Sequence, residues 1–215
     1  MVCRSVLAVV AALGLAGCPA GDDSATVDGA VDATHLAVTW AAEPAVPGQV
    51  GADRDVQELH IAYSSVRFIG DAAPGDYRTT RGPTELEWDD GRTPPPIDFL
   101  GAPPGLYSVL ELGVGGGAES FSIEGQALVR GSWVHYEVED EASNPSSLAL
   151  SLDLRAGTTT TVPVAIDVAA VLAAVPFDDL PIEQGRIEVH RDDPEMAAVR
   201  AALAAAVHLA GPPEQ

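Results

Sequence analysis

Five oxygen-bearing side chains fall within eight positions at Glu137, Glu139, Asp140, Glu141 and Asn144. Carboxylate and amide oxygens gathered where a strand gives way to a loop are what a hard cation such as calcium takes as ligands, if the loop can wrap around it. The stretch lacks the D-x-D-x-D-G register of an EF-hand loop, so it reads either as a calcium site or as solvated loop charge. Asp89 with Asp90, and Asp178 with Asp179, are shorter versions of the same pattern. His35, His60, His135, His190 and His208 share no zinc-ligand spacing. Only a meeting of His60 and His135 across neighbouring strands would join two of them, and a lone strand-edge histidine is the commoner case. Trp133, His135 and Glu137 alternate along one segment. On an open face they would make a polar–aromatic platform for a glycan; the preferred reading is that a two-layer fold buries Trp133, because large aromatics contribute heavily to cores.

Catalytic arrangements fail one by one. Gly113 to Ala118 matches G-x-G-x-x-A, but a dinucleotide site needs a helix next, and Phe121-Ser122-Ile123-Glu124 is strand-like. His190-Arg191-Asp192 matches a kinase triplet in a chain with no Lys. No Ser stands in G-x-S-x-G, and the two cysteines, Cys3 and Cys18, both lie within the first eighteen residues. The chain reads as a non-enzyme.

The formal net charge is −21, and every cation other than histidine is Arg. Nucleic-acid phosphates repel such a chain, and it has no clustered basic footprint. An anionic lipid surface repels it as well, so attachment to a membrane would need acyl chains rather than a polybasic patch. Asn144-Pro145-Ser146 is no glycosylation acceptor, because Pro holds the middle position.

The elements that must position these residues are mostly strands. His35 to Trp40 opens the pattern, and Ala41 to Arg54 reads as a connecting loop. Leu59, Ile61 and Tyr63 alternate, then Val66 and Phe68 alternate in opposite parity, which places a β-bulge at Ser64-Ser65. Asp71 to Gly82 reads as turn. Leu86 with Trp88, Ile97 with Phe99, Leu106 to Leu112, Phe121 to Arg130, and Val134 with Tyr136 and Val138 follow, the last ending in an acidic loop at Glu139 to Glu141. Leu148, Leu150, Leu152 and Leu154 hold a strict period of two, and Thr158 to Ile166 is rich in β-branched residues. Asp167 caps a short helix near 168–175. Asp193 caps a second near 194–209, with Pro194 at its first position and Met196, Val199, Leu203, Ala206 and Val207 on one face. The fold class expected is mainly β, an antiparallel β-sandwich with these two helices.

The first residues carry an address. Arg4, the apolar run Val6 to Leu15, and Leu15-Ala16-Gly17-Cys18 resemble the signal and lipobox of bacterial lipoproteins. The run is too short to span a bilayer, since Pro19, Gly21, Asp22 and Asp23 interrupt it. The resemblance implies a diacylglyceryl thioether on Cys18 and cleavage before it. Residues 1–17 are then a signal peptide, 18–33 a small, acidic, flexible tether, and 34–215 one β-sandwich domain with its C-terminal helix. With Cys3 removed and Cys18 lipidated, no internal disulfide forms. Pro103-Pro104-Gly105-Leu106-Tyr107-Ser108 is similar to the turn of transthyretin-like, or carboxypeptidase-regulatory-like, sandwich domains, whose usual roles are accessory. Such kinship implies an exported, lipid-anchored binding or structural module of the cell envelope. Its expected partners are the membrane through Cys18 and an envelope protein or glycan, with no nucleic acid and no cofactor unless calcium is bound. The alternative is a calcium-dependent adhesion or carbohydrate-binding domain.

Overall fold

The computed structural model describes residues 34–71, 77–115 and 119–214. The leader, the tether, Cys18 and Gly116 to Ala118 of the glycine-rich match lie outside the described residues. In chain order the elements are β1 (His35–Glu43), β2 (Gly48–Gln49), β3 (Arg54–Gly70), β4 (Tyr77–Arg81), β5 (Thr84–Trp88), β6 (Ile97–Leu100) and β7 (Gly105–Val114). There follow β8 (Phe121–Val129), β9 (Ser132–Asp140), β10 (Asn144–Leu154), β11 (Thr159–Asp167), α1 (Val168–Ala173), β12 (Arg186–Val189), α2 (Met196–Ala206) and β13 (Val207–Leu209). The protein is a mainly-β sandwich of two packed sheets with two short helices.

The smaller sheet runs β13-β11-β1-β6, with β1 parallel to β11 and antiparallel to β6. The larger runs β10-β7-β3-β8-β9-β12, with β2, β4 and β5 also on β3. Alternation puts the apolar side of each strand between the sheets. There Trp40 of β1 stacks on Tyr63 of β3 at 5.2 Å, and Phe99 of β6 meets Phe68 of β3 edge-on at 5.1 Å.

The seventeen-residue β3 is the spine of the larger sheet. Its first half pairs with β8 and its second with β7, while β5 and β4 line the opposite edge in the same division. The pairing slips between Tyr63 and Ser65, where the sequence places a bulge. Leu59, Ile61 and Tyr63 before it, and Val66 and Phe68 after it, are all buried, so the extra residue keeps both halves facing the core.

Neighbouring strands break at the same level. Ser64 Oγ donates to the Gly113 carbonyl at 2.9 Å. A side chain at Gly82, between β4 and β5, would strike the Ser64 carbonyl oxygen, and a Cβ at Gly115 would lie 3.0 Å from Ser143 Cα in the β9–β10 connection. Ser120 Oγ donates to the carbonyls of Asp140 (2.9 Å) and Ala142 (3.0 Å). Four strand lines thus interrupt side by side, forming a crease across the sheet. Small residues and short hydroxyls crowd there because backbones approach closely.

Some local expectations are corrected. Part of the supposed turn at 71–82 is β4, held to β3 from Val66 to Ile69. The Ala41 to Arg54 connection also gives up residues to β1, β2 and the start of β3. The C-terminal helix starts at Met196 rather than 194, because the Asp193 carboxylate accepts the His190 N–H at 2.8 Å in the preceding turn and does not cap α2. It ends at Ala206, where Val207 to Leu209 pair with Val164 to Ile166 on the open edge of β11. The short helix spans Val168–Ala173, capped as expected by Asp167, whose carboxylate accepts the Ala170 N–H at 2.9 Å. Met196, Val199, Leu203 and Ala206 make the buried face of α2.

Candidate functional site

On β9 the side chains alternate between two environments. Val134, Tyr136, Val138 and Asp140 point inward, and Trp133, His135, Glu137 and Glu139 point outward. A strand end that turns a carboxylate inward must supply a counter-charge, and α2 does so. Asp140 is 5 % exposed, and Arg200 grips it through Nε and Nη2, both at 2.7 Å. Burial opposes the charged form, but the Arg200 fork and the Ala142 and Glu141 N–H groups outweigh it and hold the Asp140 carboxyl below its ordinary range. Asn144 Nδ2 donates to the Arg200 carbonyl at 2.7 Å, closing a tie between α2 and the β9–β10 corner.

The outward acids are engaged by β12 and the turn after it. Glu137 binds Arg186 (2.8 Å), Glu139 binds His190 (2.8 Å) and Glu141 lies 3.3 Å from Arg191. At His190, partial burial disfavours the proton, while the Glu139 and Glu188 carboxylates favour it more strongly and raise the pKa. The five residues marked by the sequence therefore split between two faces of one strand and its exit. The four carboxylates meet arginine, histidine and backbone N–H groups, and Asn144 donates to the Arg200 carbonyl, rather than converging on a common point. Among the described residues no group of three or more His, Cys, Asp or Glu side chains is placed to hold a metal ion.

His60 and His135 do not meet. β8 lies between their strands, and His60 stands opposite Ser122 while His135 stands opposite Gln126. His60 instead lies 3.6 Å from Glu119, His35 binds Asp98 at 2.8 Å, and His208 lies 3.6 Å from Glu43. His190-Arg191-Asp192 occupies the turn after β12 and serves these surface pairs. Asp89 turns back to Arg92, at 3.4 Å.

Trp133 is 47 % exposed, which corrects the expectation that the sandwich buries it. Inward positions on β9 are taken by the opposite parity, so Trp133 faces water beside its cross-strand neighbour Leu128, 39 % exposed. Trp40 and Trp88 are buried.

The register assembles a feature that single strands do not show. Glu58 of β3 faces Glu124 of β8, Glu124 faces Glu137 of β9, and Glu137 faces Glu188 of β12. Directly opposed strand positions place Cβ atoms roughly 5 Å apart, and like charges there repel. Glu124 shows the effect: partial burial, then Glu137 and Glu58, raise its pKa, with Arg186 opposing. The outer face of β3-β8-β9-β12 is thus a four-glutamate row partly offset by Arg186, with the Leu128–Trp133 pair near the β8–β9 turn. Such a face suits recognition of a cationic or stacking group. No family model, no curated protein and no solved structure matches this chain.

Proposed function

We propose that the chain is an exported lipoprotein, anchored in a bacterial membrane by acyl chains on Cys18, whose sandwich domain is a non-enzymatic binding or structural module of the cell envelope. Leu15-Ala16-Gly17-Cys18 supports the anchor. The observation that carries the binding role is the outer β8–β9 face, where Leu128 and Trp133 stand exposed on the same side as the glutamate row, with Gln126 and His135 between. Opposed carboxylates cost stability, and a bound cation or basic side chain would relieve that cost. The partner class is a basic segment of an envelope protein. The transthyretin-like kinship rests on the Pro103 to Ser108 turn, where Tyr107 Oη donates to the Pro103 carbonyl at 2.6 Å.

Two measurements test this reading. The intact mass of the membrane-extracted protein should carry a diacylglyceryl group that Cys18→Ser lacks. Because Trp40 and Trp88 are buried, titration with an arginine-rich peptide should change tryptophan emission through Trp133, and Trp133→Ala should abolish the change. Unchanged emission with a peptide, together with a response to oligosaccharide, would favour the carbohydrate-binding alternative, which the exposure of Trp133 also supports. The calcium-dependent form of that alternative has less in its favour, since Asp140 is spent on Arg200.

A further inference from the structure

The end of the sandwich where the chain enters at Thr34 is built differently from the acidic face. Leu100 is 74 % exposed and Leu106 52 % exposed, the two most exposed large apolar side chains among the described residues. They occupy outward positions, next to Phe99 and Tyr107, which point inward. The loop between them is braced. Gly101, at φ +72°, donates its N–H to the Thr34 carbonyl at 2.8 Å, Ala102 is buried, and the Pro103 carbonyl accepts from Tyr107 Oη. Thr34 Oγ1 accepts the Gly157 N–H at 3.1 Å, so the entry point is fixed on both sides. Leu100, at the end of β6 in the smaller sheet, and Leu106, at the start of β7 in the larger, therefore flank the braced loop and its exposed Pro103 from the two outer faces of the sandwich, at the end where Thr34 enters.

We propose that this loop is a membrane-contacting tip, with Leu100 and Leu106 resting in the interfacial region of the bilayer that holds the acylated Cys18. The proposal rests on the lipid-anchor reading. Fifteen residues, Pro19 to Ala33, separate Cys18 from Thr34 and reach at most about 50 Å, a span that lets the tip meet the leaflet holding the acyl chains. Charge sets the same orientation. Glu58, the start of the glutamate row, lies twelve residues along β3 from Gly70, which pairs with Tyr107 at the tip, a strand contour of roughly 40 Å. The charged groups described near the tip include the mutually paired His35 and Asp98, together with Asp71, Arg155 and Asp153. An anionic leaflet therefore repels the acidic face more strongly than this end. The two acyl chains of a diacylglyceryl group already give stable attachment; what the leucine tip adds is orientation, fixing which face points outward.

The chain from Cys18 onward has no other cysteine, so Leu100→Cys, Leu106→Cys and Ser132→Cys can each carry one solvatochromic dye on the full, lipidated protein. Ser132 is the exposed first residue of β9, at the other end of β3. In phosphatidylcholine vesicles containing a shallow doxyl lipid, the dye at 100 and 106 should shift to the blue and be quenched several-fold more than at 132. Leu106→Asp combined with the dye at 100 should remove most of that difference, with an unchanged thermal melt. Equal, water-like emission at all three sites in acylated protein overturns the proposal, as does a shift at 132 alone. A blue shift without vesicles that grows with protein concentration assigns the tip to a second copy and overturns it too. If the mass shows no acyl group, the anchor reading fails first, and the two failures are told apart by that spectrum.

Discussion

Arg200 meets Asp140 with two parallel hydrogen bonds of 2.7 Å, and this pair joins the last helix to the end of β9, sixty residues earlier in the chain. A half-exposed partner on one side and a buried carboxylate on the other make the pair asymmetric: Asp140 loses far more than Arg200 when the contact is broken.

Arg200→Ala should therefore destabilise the fold by about 2 kcal/mol, less than a fully buried pair because water reaches the arginine side. In a domain of this size that is a fall in melting temperature of roughly 4–8 °C. Asp140→Asn/Arg200→Ala should cost less than the sum of the two single changes. Additive costs in urea unfolding would contradict the coupling.

Two titrations move stability in opposite directions. The Asp140 carboxyl is held low in the folded state, so its contribution is present above the ordinary carboxylate range and is lost as pH falls through its lowered value. Arg200→Ala should narrow the gap between pH 7 and pH 3 stability. His190 has a raised pKa, so its contribution is full below about pH 6.5 and disappears as pH rises through the folded value. His190→Gln should lower the melting temperature at pH 5.5 and leave it nearly unchanged at pH 9.

Glu124 is the strained member of its row. Its raised pKa means that the folded state resists ionisation, a stability that is full at low pH and lost as pH rises. Glu124→Gln should stabilise the protein by about 0.5 kcal/mol at pH 7 and by nothing below pH 4. A loss of stability at pH 7 would show that the row is not repulsive.

Close backbone approaches, at the crease and where Gly125 stands opposite Val56, predict where added bulk is forbidden. Gly82→Ala drives a methyl group into the Ser64 carbonyl, and Gly125→Ala drives one into the Asp55 carbonyl, both backbone atoms that cannot swing aside. Each should cost about 3 kcal/mol or more, measured by chemical unfolding. Gly131→Ala meets nothing within 4 Å and should cost less, through its φ of +87° alone.

Trp133→Ala should change stability by less than about 0.5 kcal/mol, whereas Trp88→Ala, in the core, should cost about 3–5 kcal/mol. Comparable losses at both sites would mean that Trp133 has a structural duty on the surface.

Period-two alternation made most of the sandwich readable, down to the bulge at Ser64-Ser65, because a parity switch between Tyr63 and Val66 has few other physical causes. The same rule misjudged Trp133: its strand has two faces, and residue type alone favoured the core although Val134, Tyr136 and Val138 already filled that side. β4 was hidden because Tyr77 to Arg81 alternates weakly among turn residues and owes its pairing to the exposed edge of β3. The site was the least legible. Glu58, Glu124 and Glu188 are isolated acids in three separate strands, and only the register puts them beside Glu137. Arg200, on a helix at the far end of the chain, gave no local sign that it serves Asp140.

The placement of β1 has a mechanical consequence. Load applied through residue 34 enters a central strand, paired at nine positions with β11 on one side and at four with β6 on the other. A pull along that strand acts on these bonds in shear, so they must fail together instead of peeling one by one from an edge. A domain loaded through the start of its first strand in this way resists being unravelled from that end.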